Sequence, residues 1–251
     1  MQIKPEIIRL TEVDSTNRYA LVNFDALADC TLIAADAQTA GKGRQGKAWF
    51  STPGENICAS FVMKNVPSPI SNASIIASLA ALEMLRANAP DAKFWIKWPN
   101  DIYCGMKKIA GILCEGRPPS GVIAGIGINI NMPQSSLDAI DQPATSLAVE
   151  TGRSIELKPA VAALAESLCK YYVQYSLNPS GLHQLWKHEN LLIGKDIELV
   201  DGRGKTLSGK ILDIGESGEI YFETGGKTLK LYSADIRIKK ESFSLKKTVE
   251  S

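Results

Sequence analysis

The sequence lacks the marks of several protein classes. Its five cysteines (Cys30, Cys58, Cys104, Cys114 and Cys169) are scattered, odd in number and never spaced as Cys-x-x-Cys. That excludes a disulfide framework and a cysteine zinc site, and leaves reduced, mostly buried thiols. No run reaches the roughly 18 apolar residues of a spanning helix, and the opening Met1-Gln2-Ile3-Lys4-Pro5-Glu6 has no apolar signal core. A soluble cytoplasmic protein without a membrane partner is the expectation. Neither sign of charge dominates: 28 Lys and Arg stand against 27 Asp and Glu, a net charge of +1, so there is no global electrostatic case for nucleic acid. Internal repeats and low-complexity segments are absent too. What remains is a 251-residue chain, 45% apolar and 22% charged, of ordinary globular composition, long enough for a main domain with a small appendage.

Along the first 190 residues helical and strand patterns mix. Ser15-Thr16-Asn17 offers N-cap residues before a short helix over 18–24. Short apolar runs at 31–35 and 56–63 read as strands. Residues 71–88, with Ser71 and Asn72 as caps, are apolar on most sides and predict a buried helix. Three β-like runs follow at 93–98, 107–115 and 122–131, the last two continuous enough for central strands. Helices are expected from Pro159 to about Tyr175 and over 181–190. The texture then changes. Alternating segments at 195–200, 206–214, 219–224 and 228–232, separated by Gly-rich turns including Asp201-Gly-Arg-Gly204, predict a small β-barrel over 191–240. A charged tail (241–251) is expected to fray.

The densest chemical signal is Gly41-Lys-Gly-Arg-Gln-Gly-Lys47, with Trp49 close behind. Glycines let a backbone approach a ligand, and Lys42, Arg44 and Lys47 put three cations on one loop, which suits a phosphate or carboxylate. By letters alone the loop matches the dinucleotide fingerprint and nearly matches a P-loop. Both need a helix directly after the loop to hold the phosphate. Pro53-Gly54 would stop such a helix in its second turn, and Ala48 stands where a P-loop needs a hydroxyl. Neither motif survives; an anion cradle or a solvated basic turn both fit the residues.

Three further segments concentrate polar groups at strand ends. Lys97-Trp-Pro-Asn-Asp101 ends a strand with a lysine, a rigid turn and a carboxylate. Lys107-Lys108 enters the run Ile109–Leu113, and Gly125-Ile-Gly127-Ile-Asn129 puts two glycines and an amide in an apolar strand, a pattern of close approach by a ligand or another backbone. Singly, Lys97 could be a snorkelling surface residue, Asn129 a satisfied strand-end amide and Trp49 a core plug.

Taken together, these segments resemble the biotin protein ligases. The matching residues are Ser15-Thr16-Asn17, Gln38 with Gly41–Lys47 and Trp49, Lys97–Asp101, Lys108–Leu113, Gly127-Ile-Asn129 and Ala144–Leu147, in the family's order and spacing over about 10–150. The resemblance implies an α+β fold: a mixed β-sheet catalytic domain flanked by helices, like class II aminoacyl-tRNA synthetases, over 1–190, then an SH3-like β-barrel. It also implies an ATP-dependent ligase that makes biotinyl-5′-adenylate and transfers the biotinyl group to one lysine of a biotin carboxyl carrier domain. The barrel would assist ATP or carrier binding. Catalytic roles fall to Lys108, Arg44, Lys42 and Asp101. Biotin contacts fall to Ser15, Thr16, Asn17, Gln38, Gly41, Lys42, Lys108, Gly111 and Gly127. ATP and adenylate contacts fall to Arg44, Gln45, Gly46, Trp49, Lys97, Asn100, Lys108 and Asn129.

Two departures stand out. Lys42 replaces the family's usual arginine, keeping the charge without the bidentate fork, and Gln45 replaces a frequent cation. The ATP step implies Mg2+; no metal cluster is visible in the sequence, so the phosphates and water are expected to hold the ion. Because Ser15-Thr16-Asn17 lies near the start, the chain is expected to be a ligase without the helix-turn-helix domain some members carry, with no DNA partner and as a monomer or weak homodimer. The alternatives are a lipoate or octanoate ligase or transferase of related fold, and a non-catalytic biotin- or adenylate-binding regulator.

Overall fold

A computed structural model describes residues 4–66, 70–117, 121–200, 204–232 and 234–237. The chain divides into two compact units, Met1–Trp186 and Lys187–Ser251. In the first, the elements run β1 (Glu6–Val13), α1 (Thr16–Val22), β2 (Thr31–Gln38), β3 (Asn56–Met63), α2 (Ser71–Asn88), β4 (Phe94–Lys97), β5 (Asp101–Cys104), β6 (Lys107–Arg117) and β7 (Gly121–Asn129). Helices α3 (Gln134–Leu137), α4 (Leu147–Thr151), α5 (Leu157–Leu177) and α6 (Pro179–His188) follow. The second unit holds β8 (Asp196–Val200), β9 (Thr206–Ile214), β10 (Ile220–Thr224), β11 (Lys227–Leu231) and β12 (Asp235–Arg237).

Seven strands form one mixed sheet in the order β1-β2-β3-β7-β6-β5-β4. Only β1 and β2 pair parallel, joined by α1; the remaining neighbours are antiparallel. This is the α+β fold with helices flanking a mixed sheet. Ser15 caps α1, its hydroxyl accepting from Arg18 N–H, which meets one of the free donors of a first turn. α2 differs at its start: the cap is Ile70, with no side-chain cap bond, not Ser71 or Asn72. Burial of 12 of its 18 residues, from Asn72 to Leu85, compensates for the missing cap, since packing outweighs end effects in a core helix.

Two strands that the sequence pattern does not announce complete the sheet. β1 is an edge strand with Glu6, Arg9, Leu10 and Glu12 among mixed side chains, and its burial pattern is mostly exposed or half-exposed. β5 is only four residues long and follows the cis Trp98–Pro99 peptide directly. The second unit is a five-stranded antiparallel sheet, β11-β10-β9-β8-β12, in keeping with an SH3-like module. β8 and β9 pair antiparallel; the turn residues 201–203 between them and the charged tail lie outside the described residues. Among the described residues no helix is long and apolar enough to cross a membrane.

On one face of the large sheet α2 and α5 pack side by side. Phe61 of β3 meets Tyr172 of α5 edge-on, with centroids 6.2 Å apart. Glu83 of α2 binds three groups of α5: it accepts from Ser167 Oγ at 3.0 Å and Tyr171 Oη at 2.9 Å, and pairs with Lys170 Nζ at 2.5 Å. Burial opposes its charge, but the bonds from Lys170, Tyr171 and Ser167 outweigh burial and hold the carboxyl below its ordinary value. A depressed carboxyl pKa contributes stability above the unfolded value of about 4.3 that is lost as pH falls through and below it. Glu83→Gln removes that contribution. Urea unfolding followed between about pH 6 and 3 should therefore show a shallower acid loss for the variant than for the parent; equal slopes would deny Glu83 this role.

Candidate active site

The opposite face of the sheet carries the site, and its organising feature is a cross-strand row with two adjacent glycines at its centre. Cys58 of β3 pairs with Gly127 of β7, Gly127 with Gly111 of β6, Gly111 with Asp101 of β5, and Asp101 with Lys97 of β4. Residues in one such cross-strand row share a face. One step along, Ser60 pairs with Gly125 and Gly125 with Leu113. The glycines make room for specific neighbours. A Cβ on Gly127 would stand 2.3 Å from Trp49 Cε2, and one on Gly111 would stand 3.2 Å from both Trp49 Cζ3 and Lys108 Nζ. A Cβ on Gly125 would stand 2.3 Å from Asn17 Oδ1.

Trp49 reaches this row from the glycine-cation loop, which closes as a small hairpin. Lys42 bridges Ala48, Gly43 N–H donates to Lys47 O at 2.7 Å, and Trp49 N–H donates to Gly41 O at 3.0 Å. At the tip Arg44–Gly46 make a 3-10 turn, for which Gly46 takes φ +75°, a conformation that favours glycine. No α-helix follows. Lys42 is exposed, and the side chain of Gln45 is outside the described residues. Arg44 turns inward and donates from Nη1 to Asn100 Oδ1 at 3.1 Å. Asn100 is itself clamped to β6: its Nδ2 donates to Ile112 O at 2.5 Å, while Ile112 N–H donates to its carbonyl at 2.8 Å.

The second cation is anchored by the same turn. Lys108 Nζ lies 2.8 Å from Asp101 Oδ1, with the two side chains 15% and 18% exposed, and 5.8 Å from the Trp49 ring centroid. A lysine held this way has its position set while part of its charge stays available to a ligand. The backbone of Lys108 is pinned too. Its N–H donates to Pro143 O and its carbonyl accepts from Thr145 N–H, both at 2.9 Å. The Ala144–Leu147 motif is thus a splint for Lys108, and its Ser146 caps α4 by accepting from Val149 N–H. Lys97 donates to Tyr103 Oη at 3.2 Å and lies over that ring.

At the other end of the row a polar network lies under α1. Thr16 N–H donates to Gln38 Oε1 at 2.8 Å, and Thr16 Oγ1 is 3.0 Å from the same oxygen. Ser60 Oγ lies 2.8 Å from Thr16 Oγ1 and 2.6 Å from Asn17 Oδ1. Asn17 Nδ2 donates to Leu113 O and Glu115 Oε2. Ser15, Thr16 and Asn17 are all buried. Gln38 Nε2 faces Gly41, whose Cβ would sit 3.0 Å from it. Between the two ends lies the Cys58 thiol. Burial pushes its pKa up, partly offset by hydrogen bonding with Ser51, Gln38 and Trp49, so the thiol stays protonated.

Most of the expected residues therefore converge: Thr16 and Gln38 at one end, Trp49 over Gly111 and Gly127, and Lys108, Asp101, Arg44 and Asn100 at the other. Asn129 is placed apart from open space. It is buried, accepts from Asn56 Nδ2 and donates to Thr145 O, both at 3.0 Å. Ser60, Cys58 and Glu115 complete the site without any motif to announce them. The one hint of Ser60 is a hydroxyl amid the apolar run of β3. Among the described residues no three His, Cys, Asp or Glu side chains gather as a metal site.

The fit of Trp49 to the two glycines yields a direct check. Trp95, Trp98 and Trp186 are 1–2% exposed, so a change in tryptophan emission reports Trp49. Gly127→Ala should push the indole off the sheet and shift emission to the red, and the shift should vanish in a Trp49→Phe background. Unchanged emission would mean that Trp49 does not rest on Gly127.

The chain is similar to known proteins in both sequence and fold. The Biotin/lipoate A/B protein ligase family matches residues 10–132, a stretch that holds every group of the site except the Ala144–Leu147 splint. The bifunctional ligase/repressor BirA of Bacillus spizizenii is 33% identical over 238 residues, covering 90% of this chain and 72% of that protein. The biotin–[acetyl-CoA-carboxylase] ligase of Mycobacterium tuberculosis is 29% identical over 90% of this chain and 86% of its own length. Among solved structures, the Aquifex aeolicus biotin protein ligase in complex with biotin and ATP superposes with a TM-score of 0.78 at 25% identity, covering 93% of this chain and 99% of that one. The likeness extends over most of the chain in sequence and in fold, and the chain is a member of the biotin/lipoate protein ligase family.

Proposed function

We propose that the chain is a biotin protein ligase that uses ATP to convert biotin to biotinyl-5′-adenylate and passes the biotinyl group to a carrier-domain lysine. The observation that carries this reading is the pair of anchored cations at one end of the bare β6–β7 row. Lys108 is tied to Asp101 and Arg44 to Asn100, with Trp49 lying between them and the Thr16–Gln38 end.

In the first step a biotin carboxylate oxygen attacks the α-phosphorus of ATP, the bond from that phosphorus to the α,β-bridging oxygen breaks, and pyrophosphate leaves. Two anions must meet, so catalysis depends on cations whose hold strengthens as charge builds on the phosphoryl oxygens. Lys108 serves the carboxylate and α-phosphate, and its link to Asp101 spares it a search through rotamers. Arg44 grips the phosphate of the adenylate, and Lys42 adds charge at the exposed rim. Gly41 and Gly46 shape the loop, with Gln45 at its tip. Trp49 packs against the nucleotide, and Lys97, Asn100 and Asn129 support that end. Ser15, Thr16, Asn17 and Gln38 read the polar ring of biotin, while Gly111 and Gly127 keep Cβ atoms away from Trp49 and the ligand beside it. Magnesium travels with the triphosphate, held by phosphate oxygens and water, since the described side chains form no cage for it.

In the second step the carrier lysine, as a neutral amine, attacks the acyl carbon. AMP leaves and a proton is released. Asp101, already committed to Lys108, sits where it can orient that amine. The partner is therefore a biotin carboxyl carrier domain.

Lipoate is the nearest competing acyl substrate, because the family includes both activities. The polar network at Thr16 and Gln38 favours biotin, whose ring offers hydrogen-bonding groups that a dithiolane lacks. Exchange of labelled pyrophosphate into ATP decides between them: it should depend on biotin and not respond to lipoate. Exchange with lipoate alone would overturn the reading. Arg44→Gly should shorten retention of pre-formed adenylate by about a hundredfold, the ~3 kcal/mol loss of one such donor, with biotin affinity little changed. Parent-like retention would remove Arg44 from that role.

A further inference from the structure

Glu115 has no part in the chemistry above, yet it controls the polarity of the network beneath the ring end of the site. Its Oε2 lies 2.6 Å from Asn17 Nδ2, and Leu113 O lies 3.1 Å from the same nitrogen. A carboxylate and a carbonyl can only accept, so both demand the NH2 end of the Asn17 amide. Its Oδ1 is thereby turned toward Ser60, in a space that exists only because residue 125 is glycine.

Orientation then propagates by proton counting. Three oxygen–oxygen contacts run in series: Asn17 Oδ1 to Ser60 Oγ at 2.6 Å, Ser60 Oγ to Thr16 Oγ1 at 2.8 Å, and Thr16 Oγ1 to Gln38 Oε1 at 3.0 Å. Asn17 Oδ1 and Gln38 Oε1 carry no proton, and each hydroxyl carries one. Two protons serve three contacts. With Asn17 fixed as an acceptor, the Ser60 proton goes to it, and the Thr16 proton serves either Ser60 or Gln38. The chain is one proton short, and the shortage is pushed to its Thr16–Gln38 end. Thr16 N–H already fills one lone pair of Gln38 Oε1; the second lone pair is left open, and that end accepts a further N–H.

We infer that Glu115 is a positioning residue that makes the Thr16–Gln38 end of the site an acceptor, so that it selects a substrate ring bearing a ureido N–H. The inference rests on the biotin ligase reading and explains why an acyl substrate without N–H groups would be refused. Glu115 itself need not touch the ligand; it acts through Asn17, Ser60 and Thr16.

The test compares parent, Glu115→Leu, Glu115→Gln and Gly125→Ala in pyrophosphate exchange, with biotin titrated by calorimetry and each melting temperature recorded. Glu115→Leu should raise the KM and Kd for biotin at least tenfold, leaving kcat at saturating biotin and KM for ATP within about twofold. Glu115→Gln keeps an acceptor and should stay within about threefold of the parent. Gly125→Ala, which displaces Asn17 without touching Glu115, should repeat the Leu pattern. Parent-like biotin affinity in Glu115→Leu overturns the inference. So does a parallel loss of biotin affinity, ATP affinity and melting temperature, which marks a merely structural role. A parent chain that neither binds biotin nor supports biotin-dependent exchange overturns the functional reading instead.

Discussion

Everything at the site depends on the missing Cβ atoms of a single cross-strand pair, Gly111 and Gly127. Central strands are normally stabilised by cross-strand side-chain contacts, and glycine inside a strand costs roughly 0.5–1 kcal/mol in chain entropy. Here the vacant face is filled from outside the sheet. Trp49 crosses from the loop to lie on the two glycines, and its indole links the Thr16–Gln38 end of the row to the Lys108–Asp101 end. A methyl group at position 127 would stand 2.3 Å from the ring, closer than any real contact, so loop, glycines and tryptophan form one unit.

Around this row the protein spends polar groups on holding other polar groups. Asp101 fixes Lys108, Asn100 fixes Arg44, and Asn100 is fixed in turn by both backbone groups of Ile112. The short turn after β4 therefore sets the position of two cations at once. Preorganised charge costs little reorganisation at the moment of reaction, and Lys108 is splinted from the far side by the 143–145 segment as well. Under the other end Glu115 anchors a network of uncharged groups. Both ends follow one logic: a side chain of the site is held in place by a polar neighbour.

Much of this was legible in the sequence where local patterns and packing agree. β3 and α2 occupy 56–63 and 71–88, as their apolar runs require, and the strand glycines announced a close approach. The failures have physical causes. β1 is an edge strand whose exposed charges blur the alternation, and β5 follows a proline so closely that four residues cannot show a period. The network roles of Ser60 and Glu115 arise from strands far apart in sequence, brought into register only by the sheet. Ala144–Leu147 stood among the family-like segments without an assigned role, and its contacts show a splint and a helix cap. What approaches the glycines was also invisible: residue type says that room exists, not that Trp49 and Asn17 take it.

The most direct measurement is a crystal structure of the protein with biotinyl-5′-adenylate. The account predicts the ring system at the Thr16–Gln38 end, Trp49 against the ligand, and Lys108 Nζ within hydrogen-bond distance of the acyl-phosphate oxygens. An adenylate bound away from Trp49 and Lys108, with the indole undisturbed on Gly111 and Gly127, would contradict it.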